Sequence, residues 1–526
     1  MNGTARLQRR DWGVAALIFM ASAALRVPFR SELAYHWDCV EFTLGISDYN
    51  MSLNQPHPPG YFLFVMLGRL VNTWLGDPHA SLVWVSLVAG AFVAGGGYVL
   101  GTRLFGRACG AAAAVILATG PTCWFHGDVA MATMLDSALT LTTVLACLLA
   151  IHRGGSWWQV ALMSLSLALV ASNRGHVATT LLPLWLYAFY RLQPPRWLKL
   201  LVAVPLTAVF CLMWLAPLAH LCGGFDVYMD CSARMWRRLA EFTCWGGGPS
   251  QLVVSVVQMA ASCWTGLLLA GAIAIIELVR WALFQSRKNK ARFFAQHREP
   301  LLLLACWLAP QMVCGLFVFY TTSPGHVLSY FPALTVLAGL ALCRFAKGLG
   351  GERAGGGPKW AVLAAVLGAV TLVNATVFIF QPRGSFSLPL TAAQRWQDEQ
   401  QLKHYFKTIR SGYPPETTWT CHHREFLFCG FQHFAYYMPE YHHVLLMRDP
   451  ALPKEFAEKF WVSHQRRLTF IERLEFPPGV TRLLLVTPPP WSLDALFGPY
   501  LDVSKARAVP ATGGMLYEVP ADSVRR

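Results

Sequence analysis

The most prominent pattern in the sequence is a series of long apolar runs within residues 1–382. Runs such as 12–29, 82–100 and 360–380 contain almost no charged residues. A helix needs about twenty apolar residues to cross the hydrocarbon core of a bilayer, and most of these runs reach that length. The pattern predicts a polytopic α-helical membrane protein with about eleven transmembrane helices. The predicted spans are approximately 12–29, 80–104, 107–125, 132–150, 157–172, 176–190, 198–220, 251–283, 300–320, 326–345 and 360–381.

The C-terminal part of the chain has the mixed polar and apolar pattern of a water-soluble domain. Segments 480–486 and 514–519 predict strands, and segments 392–409 and 453–460 predict helices. We therefore divide the chain into two predicted parts. Residues 1–382 are predicted to form a transmembrane module with a first outer loop at 30–79, and residues 383–526 a small extracytoplasmic α/β domain.

The distribution of charge predicts the orientation in the membrane. Charged residues make up 13% of the chain and the formal net charge is +15, whereas soluble chains carry roughly 25% charged residues. The basic residues lie at the ends of the apolar runs, which argues against a nucleic-acid partner. With the N-terminus in the cytoplasm, about eighteen Lys and Arg residues fall in inside segments and about seven in or beside outer ones. An odd number of spans then places the C-terminal domain outside.

Two acidic residues in the first outer loop are candidates for catalysis. Asp38 and Glu41 lie three positions apart, so on a helix they share a face. A carboxylate beside the membrane acts as a general base toward a hydroxyl when it comes within hydrogen-bond reach. The alternative is an ordinary amphipathic surface helix whose acidic residues face water, and the spacing alone leaves both open.

Two further acidic residues flank the start of the predicted fourth span. Asp128 belongs to an outer loop, whereas Asp136 lies in an apolar context. An isolated charge at the bilayer centre costs roughly 3 kcal/mol or more, so Asp136 needs a partner or water there. A functional or hydrogen-bonded role and a helix-start carboxylate favoured by the helix dipole are both open.

Basic residues on the same predicted outer side are candidates for binding a phosphate. They are Arg30, His57, Arg69, Arg174 and His326. Arg174 lies in a polar break between two apolar runs, and His326 lies in a turn before the tenth span. A basic group at a helix start beside the headgroup layer can hold a lipid phosphate. The alternatives are headgroup snorkelling for Arg174 and a structural role for His326.

No compact pattern of metal ligands is evident. The fourteen cysteines include no CxxC pair, and the adjacent histidines at 422–423 and 442–443 would point to opposite faces of a strand. We expect no cofactor. A divalent metal is compatible with the residues present but is not indicated.

The motifs of the first outer loop give the chain a family likeness. Residues 37–46 (WDCVEFTLGI) followed by 55–61 (QPHPPGY) resemble the acidic motif and the His-Pro-Pro segment of GT-C glycosyltransferases. Further segments match in the same order, namely Gly127-Asp128, Pro324-Gly325-His326 and 436–441 (YYMPEY). The chain is therefore similar to the polyprenyl-phosphate-sugar glycosyltransferases of the GT-C superfamily, as a bacterial relative of the protein O-mannosyltransferase and aminoarabinose transferase families.

The resemblance implies a reaction and a location. It implies transfer of a sugar from a polyprenyl-phosphate donor to an acceptor hydroxyl at the extracytoplasmic face of the plasma (inner) membrane, with inversion at the anomeric carbon. Asp38 would be the general base, and Glu41 would orient it or bind substrate. The other candidates would hold the donor, with the sugar at Asp128 and Asp136 and the departing phosphate at Arg174, His326 and His57.

The main alternative function is transport or flipping of a lipid-linked substrate. A transporter needs alternating access, and its polar residues concentrate near the middle of the membrane. In this chain the polar candidates gather at the outer loops. A second alternative is a non-catalytic membrane scaffold, in which the acidic residues of the first loop would be dispensable.

Overall fold

The computed structural model describes residues 7–318, 324–350, 358–381, 390–423, 430–446, 468–471, 479–487, 492–498, 500–510, 512 and 516–524. The contacts divide the chain into two compact units. The first, here named the helical unit, comprises Met1–Ser31 with Pro59–Arg395. The second, here named the sheet unit, comprises Glu32–Pro58 with Trp396–Arg526.

Most of the described residues are helical. The helices are α1 (Arg9–Arg26), α2 (Trp37–Ser47), α3 (Phe62–Leu75), α4 (Pro78–Phe105), α5 (Arg107–Thr119), α6 (Pro121–Gly127), α7 (Thr133–Arg153), α8 (Trp157–Asn173), α9 (Gly175–Thr180), α10 (Leu182–Arg191), α11 (Arg196–Leu221), α12 (Phe225–Ala240), α13 (Pro249–Leu267), α14 (Leu269–Phe284), α15 (Arg287–Phe317), α16 (Phe331–Gly350), α17 (Trp360–Phe380), α18 (Ala392–Gly412), α19 (Phe431–Tyr437) and α20 (Leu493–Phe497).

Seven of the described helices are long and apolar enough to cross a membrane, and two bent pairs raise the number to nine. The seven are α1 with the turn that follows it, α4, α7, α11, α15, α16 and α17, and the pairs are α5 with α6 and α13 with α14. The prediction of a multi-pass helical membrane protein is confirmed. The number eleven stays a prediction, because the segments at 157–172 and 176–190 form shorter helices, α8 with 17 residues and α9 and α10 with 6 and 10.

Two predicted spans are sharply bent. Helices α5 and α6 meet at 57°, where Pro121 begins a new helix because it lacks a backbone N–H and restricts the residue before it. A Cβ on Gly120 would lie 2.4 Å from the carbonyl oxygen of Gly266, so this close approach requires glycine. Helices α13 and α14 meet at 106° at Leu268, whose φ is 42°. The predicted single spans 107–125 and 251–283 therefore each consist of two helices.

Small residues allow the helices of the helical unit to pack closely. A Cβ on Gly101 of α4 would lie 2.9 Å from the Cα of Gly110 on α5. Close backbone approach of this kind increases van der Waals contact where the hydrophobic effect between helices is weak. The buried core of the unit includes Leu141 of α7 and Val336 of α16. Helices α4, α5, α7 and α16 thus pack together at the centre of the unit.

The sheet unit contains a six-stranded sheet in the order β3-β2-β1-β4-β6-β5. The strands are β1 (Thr418–His423), β2 (His442–Leu446), β3 (Leu468–Ile471), β4 (Arg482–Val486), β5 (Arg507–Ala508) and β6 (Leu516–Pro520). Strands β3, β2, β1 and β4 are parallel, and β6 is antiparallel to both β4 and β5. Helices α18 and α19 contribute Tyr405 and Phe434 to the core on one face, and α20 contributes Phe497 to another core.

These elements confirm the predicted C-terminal α/β domain. The predicted strands 480–486 and 514–519 correspond to β4 and β6, and the predicted helix 392–409 corresponds to α18. The predicted helix 453–460 lies outside the described residues. The extracytoplasmic location stays a prediction.

The first outer loop is divided between the two units, whereas the sequence placed the whole of 30–79 with the transmembrane helices. Residues 32–58 belong to the sheet unit because α2 packs against α19. Leu33 packs against the core around Phe434. The remainder of the loop, including α3, belongs to the helical unit. The structure thus joins the first acidic motif to the C-terminal residues.

Candidate active site

The first turn of α2 carries the acidic motif. His36 caps this helix, and its Nδ1 accepts a hydrogen bond from the backbone N–H of Asp38 at 3.2 Å. An acidic residue in the first turn is stabilised by the helix dipole. Asp38 and Glu41 share one face of α2, as their spacing predicted, and His57 lies against both. Its Nδ1 is 3.9 Å from Asp38 Oδ1 and 2.6 Å from Glu41 Oε2.

Glu41 is the buried member of this group. Its side chain is 6% exposed, whereas that of Asp38 is 22% exposed. One oxygen of Glu41 shares a hydrogen bond with His57, and the other accepts one from Gln432 Nε2 at 2.9 Å. Burial raises the pKa of Glu41 above its usual value of 4.5, and the neighbouring His57 acts in the opposite direction. Glu41 is thus a held carboxyl group, while Asp38 is the more accessible one.

Asp38, Glu41 and His57 also form a group whose ligand atoms lie within 4.8 Å of one another. Ligand atoms about 2.1 Å from one ion lie about 3 Å or more apart. The 2.6 Å between His57 Nδ1 and Glu41 Oε2 is instead the length of a hydrogen bond. These residues would hold a divalent ion only after that bond opened. The sequence did not reveal this group, because His57 lies sixteen residues after Glu41.

Gln432 is a second feature that the sequence did not reveal. It lies on α19, 391 residues after Glu41 in the chain, and is 5% exposed. Neighbouring residues of α19 bind the same loop at Ala34. His433 Nε2 lies 3.0 Å from the carbonyl oxygen of Ala34, and Tyr437 Oη accepts a hydrogen bond from the backbone N–H of Ala34 at 2.8 Å. The one sequence pattern that pointed to this part of α19 was the family motif at Tyr-Tyr-Met-Pro-Glu, which includes Tyr437 but not Gln432.

Asp128, in the helical unit, is a buried carboxyl group of a different kind. It is 0% exposed, and neither of its oxygens has a hydrogen-bond partner among the described residues. Burial raises its pKa well above the usual value, while Arg395 and Arg26 act in the opposite direction. Arg26, also buried, donates hydrogen bonds to Ser22 and Leu117. A Cβ on Gly127 would lie 2.7 Å from Arg26 Nε, so glycine before Asp128 makes room for the guanidinium.

Asp136 and Arg174 form a buried ion pair in the same unit. Arg174 Nε lies 3.1 Å from Asp136 Oδ2, and Asn173 Nδ2 donates to Asp136 Oδ1 at 2.6 Å. The guanidinium lies 5.3 Å from the centre of the Tyr61 ring. The predicted need of Asp136 for a partner is met by another predicted residue. Arg174 is 5% exposed, a position that differs from snorkelling into the headgroups.

His326 lies in a turn before α16 that is fixed on both sides. A Cβ on Gly325 would lie 2.8 Å from His126 Nε2, so the turn packs directly on α6. At the other end, the carbonyl oxygen of Ser329 accepts a hydrogen bond from Thr140 Oγ1 at 2.8 Å. His326 is half-buried between these anchors. These contacts fix the backbone on both sides of His326.

The seven predicted site residues fall into groups within the two units. Asp38, Glu41 and His57 meet in the sheet unit, Asp136 pairs with Arg174 in the helical unit, and Asp128 and His326 lie on segments that adjoin α6. Their chemical roles stay predictions.

No family model and no curated protein matches the sequence. Among solved structures, the chain is similar to ArnT from Cupriavidus metallidurans. The apo structure of ArnT aligns with a TM-score of 0.55 at 14% identity, over 96% of this chain and 97% of that chain. The structure bound to undecaprenyl phosphate aligns with a TM-score of 0.53 at 13% identity, over 97% of each chain. This chain therefore has the fold of ArnT over almost its whole length.

Proposed function

We propose that this protein is a membrane glycosyltransferase that moves a sugar from a polyprenyl-phosphate donor to an acceptor hydroxyl. The fold is that of ArnT, one structure of which binds undecaprenyl phosphate. The motifs of the first outer loop resemble those of GT-C glycosyltransferases, and Asp38 in that motif lies beside Glu41 and His57. We place the reaction at the extracytoplasmic face of the inner membrane, with a cytoplasmic N-terminus, on the asymmetry of basic residues.

The observation that carries the proposal is the difference between the two carboxylates of α2. Both oxygens of Glu41 are hydrogen-bonded and its side chain is almost fully buried. Asp38 is 22% exposed and is the carboxylate that a substrate can reach. A general base must come within hydrogen-bond reach of the proton that it takes. We therefore assign base catalysis to Asp38 and orientation of the site to Glu41 and His57.

The proposed reaction is a single displacement. Asp38 takes the proton of the acceptor hydroxyl, and the acceptor oxygen forms a bond to the anomeric carbon. The bond from that carbon to the phosphate oxygen breaks, and the electron pair leaves with the polyprenyl phosphate. One displacement of this kind inverts the anomeric centre. The proton then passes from Asp38 to water.

Negative charge develops on the phosphate as the donor bond breaks, and fixed cations lower the barrier to that step by several kcal/mol. We assign this role to Arg174 and His326. The resemblance also implied His57 for the phosphate, but its Nδ1 lies 2.6 Å from Glu41 Oε2, so we assign it to the side of the base. The ion pair with Asp136 holds the guanidinium plane of Arg174, and a planar guanidinium presents donors in the geometry that phosphate oxygens prefer. We assign the donor sugar to the part of the helical unit around Asp128 and Asp136, whose own side chains are 0% and 1% exposed. The reaction as proposed uses no metal ion.

The test is sugar transfer by the purified full-length protein in liposomes. The donors are a panel of undecaprenyl-phosphate sugars labelled in the sugar, and an envelope extract serves as acceptor. We expect Asp38→Asn to lower the release of undecaprenyl phosphate roughly 10²- to 10⁴-fold, the range for loss of a general base. Asp48→Asn is the matched control, since Asp48 lies exposed at the end of the same helix.

Equal rates for the Asp38→Asn and Asp48→Asn proteins would overturn the assignment of the base. Movement of intact labelled donor across the bilayer, with no release of undecaprenyl phosphate, would instead establish the transporter alternative.

A further inference from the structure

The acidic motif of α2 is held by residues near the other end of the chain. Within the sheet unit, α19 packs against α2 and binds residues 32–58 through three side chains. His433 and Tyr437 bind the backbone of Ala34, at 3.0 Å and 2.8 Å, and fix the approach to the helix. Gln432 binds the side chain of Glu41. Only the last of these contacts reaches a group of the proposed reaction.

A chain of contacts runs from Gln432 to the proposed base. Gln432 Nε2 donates to Glu41 Oε1 at 2.9 Å, and Glu41 Oε2 is 2.6 Å from His57 Nδ1. His57 Nδ1 is 3.9 Å from Asp38 Oδ1. Gln432 and Glu41 are both almost fully buried, so little water competes for their hydrogen bond. Three contacts therefore connect Gln432 to Asp38, and the first of them, between Gln432 and Glu41, is buried.

The chemistry of glutamine suits this position. Its amide donates a hydrogen bond and carries no charge, so it stabilises the carboxylate of Glu41 without replacing His57 as the charged partner. An ionised Glu41 accepts the Nδ1–H of His57, which fixes the orientation of the ring. A lysine in place of Gln432 would add a second cation beside Glu41 and compete with His57 for its carboxylate. An apolar residue would leave one oxygen of Glu41 buried without a hydrogen-bond donor.

We propose that Gln432 is a positioning residue for sugar transfer, and that the C-terminal sheet unit completes the catalytic motif of the first outer loop by holding and orienting the side chain of Glu41. This inference rests on the proposed function and deepens it. Gln432 acts through Glu41 and does not touch substrate. It also gives the C-terminal residues a part in the reaction itself, beyond any part in recognising an acceptor.

The proposal has a consequence for pH dependence. Among the described residues, the titratable groups that act on Glu41 are His57 on the following loop and Asp38 on its own helix. Nearby, His36 lies against Asp38, and His433 and Tyr437 of α19 bind the backbone of Ala34. Burial raises the pKa of Glu41, and the hydrogen bond from Gln432 lowers it. Removing that bond raises the pKa of Glu41 further. As the pH falls, activity that needs ionised Glu41 is therefore lost at a higher pH than in the wild type.

The experiment compares two isosteric substitutions in the full-length protein in liposomes. Gln432→Met removes the donor without charge, and we expect roughly a 10- to 100-fold fall in kcat, the range for loss of one hydrogen bond to a charged group. The acid limb of the pH profile should shift to higher pH, while KM for the donor stays within twofold of the wild-type value. Gln432→Glu places a second carboxylate beside Glu41, and the repulsion between the two is relieved when they share one proton. Its activity should be lost at neutral pH and partly return on acidification.

Gln400→Leu is the matched control, because Gln400 is exposed on α18. A pH profile for Gln432→Met and Gln432→Glu that coincides with that of Gln400→Leu overturns the inference. A lower kcat with an unmoved acid limb also overturns it, since a merely structural role acts at all pH values. If Gln432→Met fails to fold, the pH response of Gln432→Glu alone decides.

The Asp38→Asn protein separates this inference from the proposed function. No sugar transfer by the wild-type protein means that the proposed function fails, and full activity of Asp38→Asn means that the assignment of the base fails. An inactive Asp38→Asn with unchanged pH profiles for the Gln432 variants means that only the positioning role fails.

Discussion

Glu41 in the sheet unit and Asp136 in the helical unit are both buried carboxylates that accept a hydrogen bond from a neutral amide. Gln432 donates to Glu41 at 2.9 Å and Asn173 donates to Asp136 at 2.6 Å. Their cationic partners differ, since Asp136 pairs with Arg174 and Glu41 with His57. Arginine stays protonated under all ordinary conditions, whereas histidine changes charge near neutral pH. The same arrangement is thus a fixed pair in one unit and a titratable pair in the other.

This difference indicates which group fixes a structure and which takes part in proton chemistry. A permanent ion pair supplies constant charge and geometry, which suits the holding of a phosphate. A carboxylate–imidazole pair beside the more exposed Asp38 responds to protonation, which suits the assistance of a base.

The largest effect is expected from breaking the fixed pair. Arg174→Ala leaves the carboxylate of Asp136 buried without its cation, which costs about 3–5 kcal/mol of unfolding free energy. The double variant Asp136→Leu with Arg174→Met removes both charges and should cost much less. Denaturant-induced unfolding in detergent micelles measures both. A single variant that is no less stable than the double variant would show that the pair contributes no such energy.

A smaller effect, on activity rather than stability, is expected at the titratable pair. Glu41→Gln keeps the size of the side chain but removes its charge, and we expect kcat to fall roughly 10- to 100-fold. Because burial raises the pKa of Glu41 above 4.5, wild-type activity should fall as the pH drops through that raised value. Glu41→Gln should lack this acid limb. A pH–rate profile with the limb unchanged in Glu41→Gln would assign it to another group.

Asp128 provides a third comparison, a buried carboxyl group without a hydrogen-bond partner among the described residues. Its pKa is raised well above 3.8, so the folded protein holds this proton more tightly than the unfolded chain. The associated stability is present below pH 3.8 and is lost as the pH rises toward the folded pKa. We expect Asp128→Asn to raise the unfolding free energy at neutral pH by about 1–2 kcal/mol, with no gain below the unfolded pKa. Lower stability at neutral pH would contradict this prediction.

The smallest effect is expected from chelators. The 2.6 Å bond between His57 and Glu41 is a hydrogen bond rather than a shared ligand position. Sugar transfer by protein treated with EDTA should therefore stay within twofold of the untreated rate. Loss of activity that added Mg²⁺, Mn²⁺ or Zn²⁺ restores would assign Asp38, Glu41 and His57 to a metal site instead.

Local features of the site were predictable from neighbouring residues. The spacing of Asp38 and Glu41 placed them on one helical face, and α2 shows them there. The apolar context of Asp136 predicted a partner, and Arg174 supplies it. The identity of that partner was not predictable, because Arg174 lies far along the chain, between helices α8 and α9. Gln432 gave no sequence signal at all, since a single glutamine in a mixed segment is ordinary.

The sequence by itself determined the helical membrane architecture, the C-terminal α/β domain and the residue types of the candidate site. Apolar runs and helical spacing are properties of neighbouring residues, and the solvent acts on each segment directly. Only the tertiary structure decided that residues 32–58 join the C-terminal unit, that Gln432 binds Glu41, and that Arg26 lies buried near Asp128. Such contacts join residues far apart in the chain, and the requirement that buried polar groups find partners selects them only when the chain has folded.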